Sequence, residues 1–159
     1  MLRIRPATID DAALLFTMIR ELATFEKEPD AVTITIEDLT RDGFGENPRF
    51  RALIAEWEQQ PAGYALFIEY YSVWAGPGLF LEDLFVREAF RGRRIGQALL
   101  AQVARIAIDE GCYGIQWEVL DWNHPAIAFY KSLGAVFRDG WKPVLLTGPS
   151  LQQLGEQAK

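Results

Sequence analysis

Residues 79–100, LFLEDLFVREAFRGRRIGQALL, decide how this chain reads. The apolar run from Leu79 to Val86 has the composition of a strand, and Arg91 to Gly96 form an Arg/Gly-rich turn. An amphipathic helix follows, with Ala98, Leu99, Val103, Ile106 and Ala107 on one face and Gly111 as its stop. A strand that feeds such a turn directs several backbone N–H groups to one point, where the helix N-terminus adds the positive end of its dipole. That arrangement holds a phosphate or pyrophosphate without a dedicated charged side chain. A solvated basic turn capping a helix has the same local sequence, so the flanking elements must carry the argument.

Working outward, Leu2 to Arg5 reads as a short strand ended by Pro6. Ala12, Leu15, Phe16, Ile19, Leu22 and Ala23 recur at helical spacing. Thr35 with Asp38 marks a capped second helix that stops near Gly43 and Gly45. Phe50 to Trp57 and Tyr64 to Val73 read as a hairpin turning around Gln59 to Gly63, and Ala75 to Gly78 form the turn before the decisive strand. Tyr113 to Leu120 is a further strand. A helix starting at Asn123 and Pro125 carries Ile127, Phe129, Tyr130 and Leu133, with Gly134 as its cap. Ala135 to Arg138 and Trp141 to Leu146 read as a closing hairpin around Asp139-Gly140. The expected order is β-α-α-β-β-β-α-β-α-β-β, an α/β (α+β) architecture in which helices cover a mainly antiparallel sheet. No repeat or linker interrupts the 159 residues, so one domain spanning 1–159 is expected.

Half of the residues are hydrophobic, which fits a folded globule, and the net charge of −6 argues against general nucleic-acid binding. It suits a cationic partner as well as simple solubility. One cysteine, Cys112, and one histidine, His124, exclude an intramolecular disulfide and a Cys- or His-based metal site, so no metal is expected. Cys112 reads as a small buried filler, and Trp74, Trp117 and Trp122 read as core or interface by default. No signal peptide or membrane-length apolar run is visible, which points to a cytoplasmic protein with no membrane partner.

Two motifs in order narrow the chemistry. Arg91-Gly92-Arg93-Arg94-Ile95-Gly96 resembles the Q/R-x-x-G-x-G/A acyl-CoA motif of the GNAT N-acetyltransferases, with Arg94 standing where the family has its inner glycine. Downstream, Asn123, Ala126, Phe129, Tyr130 and Gly134 are similar to the family's N-x-x-A-x-x-F-Y-x-x-x-G signature. Rossmann and Walker A patterns are absent. The resemblance implies a GNAT fold with splayed central strands and a cleft between Leu79–Val86 and Tyr113–Leu120. It implies acetyl-CoA held by the backbone of Leu84, Phe85 and Val86, by the turn residues Arg91, Gly92, Arg93, Arg94, Ile95, Gly96 and Gln97, and by Asn123, Pro125 and Ala126.

Amine acetylation needs a neutral nucleophile and a proton for the departing thiolate. A phenol's ordinary pKa of about 10 lies in the range of alkyl thiols, which suits Tyr130 as general acid. Glu82 and Asp83 sit side by side in an apolar strand whose side chains alternate, so one faces the cleft. By resemblance Glu82 binds substrate or serves the base route, through water. The blocks IRPAT (4–8), RELATFE (20–26), DGFGENP (42–48), LEDLFV (81–86) and FYKSLGA (129–135) resemble the spermidine/spermine N1-acetyltransferase-like group, which includes diamine and thialysine acetyltransferases. That likeness places Phe25 and Glu26 at the substrate end and implies a homodimer with a contact near Trp141. The expected acceptor is a small polyamine, diamine or lysine-like amine. A broad small-amine or amino-acid acetyltransferase and a non-catalytic acyl-CoA-binding domain remain open, as does acetylation of protein amines.

Overall fold

The structure is a computed structural model that describes residues 1–158, in two compact units: Met1–Leu120, and the residues from Asp121 on. In the first unit a five-stranded sheet runs in the order β1 (Leu2–Pro6), β2 (Arg51–Trp57), β3 (Gln60–Ser72), β4 (Gly76–Val86), β5 (Ile115–Gln116). Every pair is antiparallel except β4 with β5, which is parallel. Three helices accompany it, α1 (Ala12–Phe25), α2 (Ile36–Phe44) and α3 (Ile95–Asp109).

Burial follows from strand alternation. Ala52 and Ile54 of β2, Tyr64 and Leu66 of β3, and Phe85 of β4 form one core with Leu15, Met18 and Leu22 of α1, which are spaced to share a helix face. The alternate residues Leu53, Ala55, Ala65, Phe67, Leu79 and Leu81 are buried too, as are Ile95, Leu99, Leu100, Val103 and Ala107 of α3, which packs against the sheet. Helices thus cover both faces. Gly63 permits the closest approach within this sheet, since a Cβ there would lie 2.3 Å from the Phe85 carbonyl oxygen.

Helix α2 begins as its sequence predicts: the Thr35 side chain accepts from the Asp38 N–H, the Asp38 carboxylate accepts from the Thr35 N–H, and Gly45 caps the far end. The first hairpin turn is tighter than expected. Glu58 and Gln59 alone make it, both at positive φ (51° and 66°), the two-residue geometry whose twist matches the strands. The glycine and proline at 61–63, which drew the turn forward in the sequence, lie inside β3. The second turn is Val73–Ala75 rather than Ala75–Gly78, because the Ser72 hydroxyl accepts from the Trp74 and Ala75 N–H groups, both at 3.2 Å. Trp74, expected in the core or at an interface, is 84% exposed at that tip, so it is not core. Cys112 is only half-buried.

The strand expected over Tyr113–Leu120 shrinks to Ile115–Gln116. Its ladder with β4 stops at Phe80–Gln116.

The second unit contains α4 (His124–Ser132) and α5 (Gly148–Gly155), the latter not anticipated. Asn123 caps α4, with Pro125 in its first turn. The expected hairpin over 135–146 is not formed: no residue there is in a strand. Alternating apolar residues define a strand only when a partner completes the ladder, and that segment has none among the described residues. It makes cation–π contacts instead, Lys131 over Phe137 at 5.6 Å and Arg138 over Trp141 at 5.2 Å.

The IRPAT segment has a structural role. Arg5 donates to both oxygens of buried Asp11, at 2.7 and 2.8 Å, and to Glu56 at 2.8 Å. The Arg5 hydrogen bond, followed by the Thr8 N–H, holds the Asp11 carboxyl down at about 2. A carboxyl lowered on folding contributes stability above the ordinary carboxylate range, and that contribution disappears as pH falls toward 2. Asp11→Asn is therefore expected to cost about 2 kcal/mol at pH 7 and progressively less between pH 4 and 2. Urea unfolding of both proteins across that range checks it, and a cost independent of pH would contradict the assignment.

Candidate active site

The chemistry of β4 depends on one irregularity. The Leu79 N–H donates to the Gly114 carbonyl, away from β3, whereas the Arg87 N–H donates to the Ala62 carbonyl, toward β3. Both positions are odd, and a regular strand would turn both to the same edge. The register shows where the phase changes: Phe67 pairs with Leu81 but Leu66 pairs with Asp83, so Glu82 is an extra residue, a β-bulge. Beyond it, alternation turns the N–H and C=O of Leu84 and Val86 away from β3, toward an edge that no strand occupies among the described residues. The Arg91 guanidinium donates to the Val86 carbonyl on that side at 3.1 Å. Phe85, grouped with its neighbours in the sequence analysis, differs from them: its backbone faces β3 and its ring lies in the core.

The bulge also overrides the alternation expected of Glu82 and Asp83. Both carboxylates line one cavity of about 560 Å³, together with Glu26 at the end of α1, Asp38 and Asp42 of α2, and Arg49. Asp38 and Asp42 share one cation, Arg41, ion-paired to them at 2.9 and 2.8 Å. Among the described residues no ion pair engages Glu26, Glu82 or Asp83. Burial raises the Glu26 carboxyl. Burial raises Glu82 as well, with Asp83 and Glu118 adding repulsion. Asp83 is raised by burial and by Glu26, against the downward pull of a hydrogen bond from Tyr64. A concave site with three carboxylates lacking cations attracts an ammonium group, and a molecule with two attracts more strongly. Phe25 stands beside Arg91, whose guanidinium lies 4.8 Å over its ring.

The turn after β4 is the other half of the geometry. Gly92 takes φ +77°, and Arg94 holds the left-handed conformation at φ 59°, ψ 20° as the N-cap of α3. Arginine thus occupies the backbone shape that the missing glycine would have supplied. The first helical bond of α3 runs from the Ala98 N–H to the Arg94 carbonyl, which leaves the N–H groups of Ile95, Gly96 and Gln97 without intrahelical acceptors. A Cβ on Gly92 would meet nothing within 4 Å, and one on Gly96 would lie 3.7 Å from the Val86 side chain. Ile95 is buried, and the Arg93 guanidinium lies 5.0 Å over Trp57. An open strand edge with free amides, leading to a helix N-terminus with three more, fits an extended amide-bearing chain that ends in a diphosphate.

In the second unit, the Asn123 side chain accepts from the Ala126 N–H at 3.4 Å. Tyr130 is 8% exposed and its ring lies 5.4 Å from that of Phe129. His124 is exposed, and its N–H donates to the Trp122 carbonyl at 2.9 Å. Asp83, of the acid pair expected to place one member in the cleft, lines the cavity together with Glu82, while Asp38, Asp42 and Arg49 of its lining, and Tyr64 behind Asp83, had no site role in the sequence reading. The doubled acid in LEDLFV was the available signal for Asp83, but nothing in the pattern marks a bulge.

Comparison with known proteins fits this geometry. The profile of the Acetyltransferase (GNAT) family matches residues 15–135. The chain is 40% identical over 162 residues to thialysine N-epsilon-acetyltransferase of Sus scrofa, with 95% of each chain covered. It is 40% identical to the enzyme of the same name in Mus musculus, with 96% of each covered. Among solved structures, an integron cassette protein from the mobile metagenome of V. cholerae superposes with a TM-score of 0.80 at 24% identity, covering 98% of each chain.

Left-handed backbone at a residue with a Cβ costs about 1 kcal/mol or more. Arg94→Gly is accordingly expected to stabilise the protein by about 1 kcal/mol, seen as a higher thermal midpoint. A lower midpoint would show that the arginine side chain contributes more than its backbone costs.

Proposed function

Because the chain belongs to the acetyltransferase (GNAT) family and is an acetyl-CoA-dependent N-acetyltransferase, we propose that its acceptor is a lysine-like compound, a diamine or a small polyamine carrying two cationic groups. The observation that carries this reading is the cavity in which Glu26, Glu82 and Asp83 have no cationic partner among the described residues. The names of the curated relatives, thialysine N-epsilon-acetyltransferases, support it.

The open amides of Leu84 and Val86, with the Arg91–Gln97 turn, would hold acetyl-CoA, which supplies an activated acetyl group. A neutral acceptor amine attacks the thioester carbonyl, so that a C–N bond forms as the C–S bond breaks. An alkyl ammonium has an ordinary pKa of about 10.4 and must first lose a proton. Glu82, with its carboxyl raised by burial and by neighbouring acids, is proposed to take that proton through water. Tyr130 is proposed to donate the phenolic proton to the departing sulfur, and Asn123, Pro125 and Ala126 to shape the start of its helix. Glu26 and Asp83 hold the second ammonium, and Phe25 borders them.

A single catalytic domain is proposed for the chain, supported by a family match that runs through residue 120. No helix among the described residues is long and apolar enough to cross a membrane. Cytoplasmic location and a homodimer are proposed with the group resemblance, and exposed Trp141, Val144 and Leu145 are suited to the dimer contact. Light scattering at monomer mass would dismiss that contact.

The test is thiol release from acetyl-CoA with polyamines, diamines, thialysine, lysine, monoamines and a peptide. Diamines or lysine-like amines are expected to have the highest kcat/KM, and a preference for monoamines or the peptide would refute the reading. In the same assay Tyr130→Phe should lower kcat by about 10²-fold or more while leaving acetyl-CoA affinity nearly intact. Wild-type turnover in that variant would remove Tyr130 from the mechanism.

A further inference from the structure

We propose that Tyr64 is a positioning residue of the acceptor cavity: its phenol holds the Asp83 carboxylate by a hydrogen bond at the space shared with Glu26 and Glu82. The inference rests on the reading of that cavity as the acceptor site. Tyr64 lies in the middle of β3 with no exposed surface, packed among Leu15, Met18 and Phe85, so its hydroxyl needs a partner inside the protein. The partner is Asp83: the Tyr64 hydroxyl donates to Asp83 Oδ2 at 2.7 Å. Among the described residues that carboxyl has no other hydrogen bond, and Asp83 lines the cavity.

The β4 bulge makes the pair possible. Without the extra residue at 82, Asp83 would share the face of Leu81 and Phe67; with it, Asp83 pairs with Leu66 and stands next to Tyr64, on the α1 side. The surroundings oppose a charge there. Glu26 approaches from the end of α1, Glu82 precedes Asp83 on β4, and Glu118 acts on Glu82. Asp38 and Asp42 share the Arg41 cation, Arg49 also lines the cavity, and Glu21, which acts on Tyr64, is bound by Arg87 at 2.8 Å. Among the described residues no fixed cation is paired with Asp83. Burial and Glu26 push its carboxyl up, and the Tyr64 hydrogen bond is the opposing influence. Losing that donor leaves Asp83 to take a proton at higher pH, and a protonated Asp83 no longer attracts an ammonium group.

The experiment follows the ¹³C resonance of the Asp83 carboxyl with pH, in the unaltered protein and in Tyr64→Phe. A hydrogen bond to a charged group corresponds to about one pH unit or more. The Asp83 midpoint is expected to rise by about that amount in Tyr64→Phe, and the acid limb of kcat/KM for a diamine should move up with it. In an Asp83→Asn background, Tyr64→Phe should leave the limb where it is. Should Tyr64→Phe fold poorly, 3-fluorotyrosine at position 64, a stronger donor of the same shape, should shift the midpoint the other way. An unmoved Asp83 midpoint overturns the inference whatever the acceptor. A moved midpoint with an unmoved limb severs Asp83 from acceptor recognition and overturns it too. Failure of the acceptor reading shows separately, as no turnover of any diamine or lysine-like amine by the unaltered enzyme.

Discussion

One extra residue in β4 sets the chemistry of this protein. A regular strand through Leu79–Val86 would send the amides of Leu84 and Val86 into the ladder with β3 and keep Asp83 on the same face as Leu81. The bulge at Glu82 reverses both outcomes. Two amides become available at an edge where the β4–β5 ladder has already ended, and two consecutive carboxylates line the same cavity. The open amides and the acid-lined cavity are thereby tied to one backbone feature. Leu81 and Phe85, on either side of the bulge, are both buried and therefore keep the phase shift in place.

The electrostatics divide along the same line. At the turn after β4, main-chain amides and a helix end supply positive potential, and Arg94 holds the left-handed position. In the cavity, Glu26, Glu82 and Asp83 gather without ion-pair partners among the described residues, and their carboxyls are raised. The cost of holding those charges in the apo-protein is offset when a cationic acceptor arrives, which makes binding selective for charge. Arg41 is ion-paired with both Asp38 and Asp42, so those two α2 carboxylates carry one net negative charge between them rather than two.

Much of this was legible in the sequence where chemistry is local. Thr35 and Asp38 announced a capped helix, Asn123 and Pro125 another, and the Arg/Gly turn announced the start of α3. What was hidden depends on partners. The bulge at Glu82 arises from the register between β3 and β4, which no single strand's pattern contains. Tyr64 looked like one more aromatic residue in an apolar strand, and only its place opposite the bulge gives its hydroxyl a carboxylate. The turn at Glu58-Gln59 lacks the usual glycine or asparagine, so proline and glycine further on drew the boundary away. The segment 135–146 alternates like a hairpin yet lacks a ladder, and Ile115–Gln116 pair for two residues where a full strand was expected.

By the proposed reading, the bulge frees the Leu84 and Val86 amides for acetyl-CoA while the Phe85 amide remains in the sheet. Amide hydrogen exchange, measured residue by residue with and without acetyl-CoA, addresses it directly. Phe85 should be protected in both states, whereas Leu84 and Val86 should exchange quickly alone and slow markedly when acetyl-CoA is added. Protection of Leu84 and Val86 before acetyl-CoA is present, or no change on its addition, would contradict the account.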